Sequence, residues 1–167
     1  FRLSHRTLWK ERLVTEWNQW TSAEELLDFA IQREEEAARF YRDLAGVSRS
    51  EDMQGVFESF AREEDGHKAK LERIKAGGML APADKPVQDL KIADYVGEQE
   101  PDGELTYQQA LILAMQKEKA AFRFYTDVAA RVDEADLRTL LEGLAQEEAK
   151  HKLRFEIEYD EVILKDN

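Results

Sequence analysis

An internal repeat restricts the fold of this chain more than any other feature of its sequence. Residues 26–73 align without a gap to residues 110–157, at a constant offset of 84 positions, with 18 identities in 48 aligned positions. Each aligned segment contains one histidine and one tyrosine, and these match in the pairs His67–His151 and Tyr41–Tyr125. Two unrelated acidic helices would rarely agree in this way. We therefore expect two copies of one structural unit, which bury their apolar faces against each other.

The first copy has the pattern of two helices. Thr21 and Glu24 have the spacing of a capping box, and apolar residues then recur with helical period as far as Gly46. A second amphipathic stretch begins near Ser50 and is expected to stop at Gly77.

The second copy repeats this pattern. Thr106 and Gln109 form the same kind of box, and the third helix is expected to end at about Arg131. Asp133 can cap a fourth helix, which continues towards Val162. The fold class is therefore predicted to be all-α, an antiparallel four-helix bundle built from two repeated helical hairpins.

The domain organisation follows from these helices. We expect residues 1–20 to form an accessory arm or helix and residues 21–167 to form one bundle, with repeats at 21–76 and 106–165. The crossover, residues 77–105, contains all three prolines and must return the chain to the other end of the bundle. The arm contains Trp9, Trp17 and Trp20, and large apolar groups are rarely left exposed on monomers. A homodimer or higher homo-oligomer is therefore expected.

Composition excludes several classes of function. The net charge of −12 makes nucleic acid an unsuitable partner, because phosphate binding needs a basic surface. The longest apolar run, residues 110–115, is too short to span a membrane. No secretory signal is visible, so a cytoplasmic location is expected. With no cysteine, any metal must be held by nitrogen and oxygen ligands.

Two Glu-x-x-His motifs are the clearest chemical signal in the chain. Residues three positions apart share one face of a helix, so each carboxylate and imidazole point the same way. On the partner helices, Glu34 and Glu118 each lie two turns before a tyrosine, and the neighbours of Glu34 on its own face are apolar. The predicted metal ligands are therefore Glu34, Glu64, His67, Glu118, Glu148 and His151.

A single motif of this kind can also be explained without metal binding. One Glu-x-x-His on an acidic helix usually faces solvent, and we expect Glu63 and Glu147 to lie on such a solvated face. Tyr41 and Tyr125 could simply be core residues, but we expect their hydroxyls to bond to a ligand carboxylate beside the metals. The remaining histidine, His5, has no partner and is expected at the surface.

The number and type of ligands indicate which metal could bind. Four inward carboxylates carry a charge of −4, which two divalent ions would cancel, whereas without cations such burial is costly. Mixed nitrogen and oxygen ligation suits iron or manganese, with zinc as a substitute. Six protein ligands leave coordination positions free for water, O₂ or peroxide.

The motif strings EEEAARFY (34–41), EEDGH (63–67), EKAAFRFY (118–125) and EEAKH (147–151) resemble those of rubrerythrins, members of the ferritin-like di-iron carboxylate family. The resemblance covers about residues 22–160. It implies a ferritin-like bundle, two iron ions held by the six residues above, and redox chemistry with peroxide or O₂. Two departures matter. Rubrerythrins carry a four-cysteine rubredoxin-like iron site that this sequence lacks, and Ala121 stands where they have an additional glutamate.

Three functions remain open from the sequence. The first is a peroxidase- or ferroxidase-type oxidoreductase that uses an external electron donor, in oxidative-stress defence or iron handling. The second is a non-catalytic protein that binds or delivers iron. The third is a bundle with a vestigial metal site whose aromatic arm binds a protein partner.

Overall fold

The computed structural model describes residues 23–48, 50–77 and 105–166, and the regular secondary structure of these residues is entirely α-helical. Helix α1 spans Ala23–Val47, α2 spans Glu51–Gly77, α3 spans Tyr107–Ala129 and α4 spans Ala135–Asp166. The four predicted helices are thereby confirmed. The tryptophan-containing arm, the Thr21 cap and nearly all of the crossover lie outside the described residues.

The helix starts follow from local capping groups. The Thr106 hydroxyl accepts a hydrogen bond from the Gln109 backbone N–H, and the Gln109 side chain accepts one from the Thr106 backbone N–H, so the predicted capping box is confirmed. The backbone N–H of Met53 donates to the Ser50 hydroxyl (3.2 Å) at the start of α2. Helix α4 begins one residue later than a cap at Asp133 would place it.

Short connections make the helices of each hairpin antiparallel neighbours. Residues 48–50 join α1 to α2, and residues 130–134 join α3 to α4. Ion pairs Arg42–Asp65 and Lys75–Asp28 link α1 and α2. Between α3 and α4, the Tyr107 hydroxyl donates to Glu158, a buried carboxylate, over 2.9 Å.

The core consists of two apolar clusters separated along the bundle by a polar band. One cluster surrounds the start of α1 and the ends of α2 and α3, and its buried residues are Leu26, Leu27, Ala30, Leu71, Ile74, Phe124, Tyr125, Val128, Ala129, Leu137, Leu141, Leu144 and Ala145. The other contains Phe40, Tyr41, Leu44, Ala45, Met53, Phe57, Ala61, Leu105, Ala110, Leu111, Leu113, Ala114 and Phe155. Burying one large apolar side chain contributes about 1.5–3 kcal/mol, so these clusters hold the four helices around the band.

Within the described ranges, no helix is long and apolar enough to cross a membrane.

Candidate metal centre

The polar band between the two apolar clusters contains the six residues that the sequence predicted as ligands. Each helix contributes at the point where its apolar stripe is interrupted, and each of the six residues is at most 3% exposed. One glutamate comes from each of α1 and α3, and one glutamate with one histidine comes from each of α2 and α4. In chain order they are Glu34, Glu64, His67, Glu118, Glu148 and His151.

These residues form two overlapping groups. One group is Glu34, Glu64, His67 and Glu148, and the other is Glu64, Glu118, Glu148 and His151. Within each group, one potential ligand atom per residue lies within 4.8 Å of the others. Glu64 and Glu148 belong to both groups, so their carboxylates could bridge two metal ions. Each group draws on both hairpins.

Both histidines direct Nδ1 towards the carboxylates. His67 Nδ1 lies 3.1 Å from Glu64 and 2.9 Å from Glu148, and His151 Nδ1 lies 2.7 Å from Glu64 and 3.7 Å from Glu118. The two imidazole rings are nearly parallel, at 18°, with centroids 6.2 Å apart. One nitrogen of each ring is therefore available on the side where the carboxylates converge.

Several polar atoms of this band have no hydrogen-bond partner among the described residues. They are Glu64 Oε1, both oxygens of Glu118, Glu148 Oε1 and His151 Nδ1. The close contacts of His151 Nδ1 with Glu64 Oε1 (2.7 Å) and of His67 Nδ1 with Glu148 Oε1 (2.9 Å) do not have hydrogen-bond geometry. An unsatisfied buried polar group costs about 1–3 kcal/mol, and more when it is charged. Bound cations would remove this cost, because lone pairs of carboxylates and imidazoles are what they coordinate. The donor set therefore fits a pair of divalent ions.

Burial and crowding raise the pKa of the carboxyl groups. Loss of hydration raises the pKa of Glu34 to about 8, with the neighbouring Glu64 adding to the increase and His67 opposing it. Loss of hydration also raises the pKa of Glu148, and the nearby carboxylates of Glu118 and Glu34 raise it further. Protons therefore occupy part of this site when metal does not.

For the two histidines, burial and the neighbouring carboxylates shift the pKa in opposite directions. Burial by itself would lower the pKa of His151, but Glu118 and Glu64 outweigh it and raise that pKa to about 11. The pKa of His67 is raised in the same way, chiefly by Glu148 and then by Glu34. In the metal-free fold both rings are positively charged at neutral pH and partly balance the carboxylates.

A cleft between α1 and α3 leads to this band from the surface. Its volume is about 30 Å³, enough for a molecule of a few atoms. Half-buried Arg33 and Lys117 border it, and Glu34, Glu118 and Glu148 line it together with small and aromatic residues. The cleft is open because alanines stand where larger side chains would fill it, and these are Ala30, Ala37, Ala120 and Ala121.

The profile of the rubrerythrin family matches residues 25–159, which is most of the chain. The chain belongs to the rubrerythrin family. The buried cluster of glutamates and histidines has the residue types and the spacing that could hold metal ions.

Solved structures place this rubrerythrin-family chain in the ferritin-like fold. A candidate ferritin-like diiron-carboxylate protein from Thermotoga maritima superposes with a TM-score of 0.74 at 20% identity, over 87% of this chain and 99% of that one. A hypothetical protein from Pyrococcus furiosus gives a TM-score of 0.68 at 26% identity, over 89% of this chain and 93% of that one. No curated protein matches the chain.

The two tyrosines of this rubrerythrin-family chain differ in their bonding. The Tyr125 hydroxyl donates to Glu34 Oε1, as predicted, and its pKa is raised by burial and by the charge of Glu34. Tyr41 is also fully buried, but its hydroxyl has no hydrogen-bond partner among the described residues. Its ring packs edge-on against His151, with centroids 6.3 Å apart.

Glu63 and Glu147 lie on the solvated face that was expected for them, but each has a further contact that the sequence did not predict. Both are partly exposed, yet Glu147 Oε2 bonds to His67 Nε2 and Glu63 Oε2 bonds to His151 Nε2, the latter over 2.8 Å. The repeat did contain a signal, because these two glutamates occupy equivalent positions in the two copies. Their crossed pairing depends on how the hairpins dock, which the spacing within one helix does not reveal.

Proposed function

We propose that this chain is a non-haem di-iron oxidoreductase of the peroxidase or ferroxidase type, which uses hydrogen peroxide or O₂ as oxidant. The observation that supports it best is the pair of buried ligand groups that share Glu64 and Glu148. Two carboxylates shared between both groups would hold two ions close together, as in known two-metal sites.

The proposed ligands divide between two positions. Glu34 and His67 would hold one ion, Glu118 and His151 the other, and the two shared carboxylates would bridge them. The four negative charges of these carboxylates match two divalent ions, so burial of the loaded centre leaves little net charge. A ferrous pair held by these residues would supply two electrons, which together with two protons would reduce one hydrogen peroxide to two waters.

The protein side chains define access and orientation. The cleft beside Glu34 and Glu118 has room for a molecule of a few atoms, and neither His67 nor His151 lines it. Phe124 and Tyr125 line its wall and limit the amount of water near the carboxylates. The hydrogen bond from Tyr125 fixes the orientation of Glu34.

An anaerobic titration with Fe²⁺, followed by rapid mixing with H₂O₂ or O₂, tests the proposal. We expect two Fe²⁺ per chain, rapid oxidation, and repeated turnover when a chemical reductant is supplied. Glu64→Ala should abolish stoichiometric binding, whereas Glu58→Ala removes an exposed carboxylate of the same helix and should change nothing. Absence of iron binding by the parent protein would refute the proposal.

The alternative is a non-catalytic protein that binds or delivers iron. It predicts the same stoichiometry but a single oxidation without turnover under reductant. Re-reduction of the oxidised protein at a rate that sustains repeated cycles would favour the enzyme.

A further inference from the structure

The outward nitrogen of each buried histidine contacts a carboxylate from the other hairpin. His67 on α2 bonds through Nε2 to Glu147 on α4, and His151 on α4 bonds through Nε2 to Glu63 on α2. The two contacts are related by the sequence repeat, since each residue is exchanged for its equivalent 84 positions away. A chance surface contact would not be expected to occur twice in this reciprocal form.

The chemistry of imidazole gives these contacts a consequence. A neutral imidazole carries one N–H, and its other nitrogen has the lone pair that binds metal. A carboxylate can only accept a hydrogen bond, so one placed at Nε2 favours the tautomer with the proton on Nε2. Nδ1, which faces the converging glutamates, is then free to coordinate.

We propose that Glu63 and Glu147 are positioning residues that hold the histidine of the opposite hairpin with Nε2–H outward and Nδ1 towards the metal. The inference rests on the proposed function, since it assumes that the buried groups bind metal. It assigns a role to two partly exposed glutamates that do not themselves belong to the ligand groups.

Further contacts around the Glu63–His151 pair restrict the orientation of both side chains. The Glu63 side chain is 48% exposed, but its Oε1 accepts a hydrogen bond from the Ser59 hydroxyl (3.4 Å) while Oε2 contacts His151. The ring of Phe60 packs against the His151 ring at a centroid distance of 4.2 Å. Glu63 and Phe60, both on α2, therefore restrict His151 from two sides.

Because each glutamate contacts only one of the two histidines, we expect its loss to affect only the metal position that contains that histidine. Loss of Glu147 should weaken the position that contains His67, and loss of Glu63 should weaken the position that contains His151. Removing a carboxylate that orients a metal-binding histidine typically costs about 10–100-fold in metal affinity.

The test measures Zn²⁺ affinity of the full chain by competition with a chromophoric chelator. The variants are Glu147→Leu, which loses the acceptor, and Glu147→Gln, whose amide oxygen can still accept from Nε2–H. Glu142→Leu removes an exposed carboxylate from the same helix and serves as the control for charge. Circular dichroism checks that each variant is folded. The same series at Glu63, with Glu58→Leu as control, tests the other position.

We expect Glu147→Leu to weaken one of the two zinc sites by about 10–100-fold. Glu147→Gln should retain most of the affinity and Glu142→Leu all of it. Long-range ¹⁵N–¹H spectra of the zinc-loaded parent should show both histidines coordinated through Nδ1 and protonated on Nε2. If Glu147→Leu does not fold, the Glu147→Gln affinity and the parent spectrum decide.

Other outcomes would overturn the proposal in distinguishable ways. If the parent binds no metal, the proposed function fails and this inference fails with it. If the parent binds two ions but the Leu variants match their controls, only the inference fails. Equal losses in the Gln and Leu variants would indicate a general effect of charge, and coordination through Nε2 would contradict the assigned orientation.

Discussion

At the scale of single residues, Tyr41 and Tyr125 are equivalent in sequence but not in bonding. Only the Tyr125 hydroxyl has an acceptor, the carboxylate of Glu34, whereas that of Tyr41 is buried without a partner among the described residues. In the metal-free protein we therefore expect Tyr125→Phe to lower the free energy of unfolding by about 1 kcal/mol. Tyr41→Phe should leave it unchanged or raise it, as measured by urea unfolding.

The two substitutions remove the same atom from equivalent positions, so each is the control for the other. Equal losses of stability would show that the Tyr41 hydroxyl has an acceptor in solution.

The raised pKa values predict how stability of the metal-free protein depends on pH. Glu34 has an ordinary pKa of 4.5 and a folded value of about 8, so its contribution is fully present below pH 4.5 and is lost as pH rises to about 8. For His151 the corresponding window runs from about 6.5 to about 11. The free energy of unfolding should therefore fall as pH rises from 5 to 9.

Urea unfolding of the metal-free protein at several pH values measures this dependence. Glu34→Gln should flatten the curve mainly between pH 5 and 8, because it removes the group that titrates there. Stability that increases with pH over this range would contradict the predicted sign.

The residue spacing predicted which six side chains converge but not how all of their neighbours pair. Burial of all six followed from two Glu-x-x-His motifs and matched inward glutamates, because helical periodicity fixes direction within one helix. The partners of Glu63 and Glu147, and the burial of Glu158 beneath Tyr107, depend on contacts between helices. No local pattern encodes those contacts.

At the scale of the helices, the open face between α1 and α3 contrasts with the opposite face, where the histidines pair with glutamates. Ala37 and Ala121 line the cleft on the open face. Replacing Ala121 with Leu should fill part of its volume of about 30 Å³ and slow oxidation of the ferrous protein by H₂O₂. Zinc affinity should change little, because no ligand is removed.

Stopped-flow rates for Ala121→Leu can be compared with those for Ala37→Leu, the equivalent change in the other copy. Ala76→Leu, at an exposed position near the end of α2, is the control. Unchanged rates in both cleft variants would show that the oxidant enters by another route.

Helix number and order were predictable because capping residues and apolar periodicity are local properties. The Thr106 capping box starts α3 as expected, whereas α4 starts one residue later than an Asp133 cap implies. Such small shifts at helix ends are beyond the resolution of sequence patterns. The Thr21 box and the crossover stay predictions.

At the scale of the whole molecule, metal binding should be coupled to stability. Metal that binds only the folded chain adds about 2.7 kcal/mol at a concentration 100-fold above its dissociation constant. Glu118→Ala should remove most of this gain. In the metal-free form it should cost little or even stabilise, because both Glu118 oxygens are buried without hydrogen-bond partners among the described residues.

Thermal melts of the parent and of Glu118→Ala, with and without Fe²⁺ under anaerobic conditions, test this coupling. Equal destabilisation of the loaded and metal-free forms would mean that Glu118 is a structural residue rather than a ligand.

Self-association is the remaining prediction at this scale. Trp9, Trp17 and Trp20 precede the bundle, and burying them against a second copy would remove apolar surface from water. Sedimentation equilibrium of the full chain should therefore give at least a dimer. A monodisperse monomer, with tryptophan fluorescence typical of water exposure, would contradict it.

Each ligand group combines residues from both hairpins, and this arrangement suggests how such a chain could have arisen. The two ligand groups are converted into each other by the shift of 84 residues, with Glu64 and Glu148 trading places. The two ligand groups are thus related by a two-fold pseudosymmetry of the sequence. A half-length ancestor could have built the same centre as a symmetric homodimer, in which each subunit supplied one glutamate from its first helix and one Glu-x-x-His from its second. Gene duplication and fusion would then have released the two halves to diverge, and the unequal bonding of Tyr41 and Tyr125 is a difference that a homodimer of identical chains could not encode.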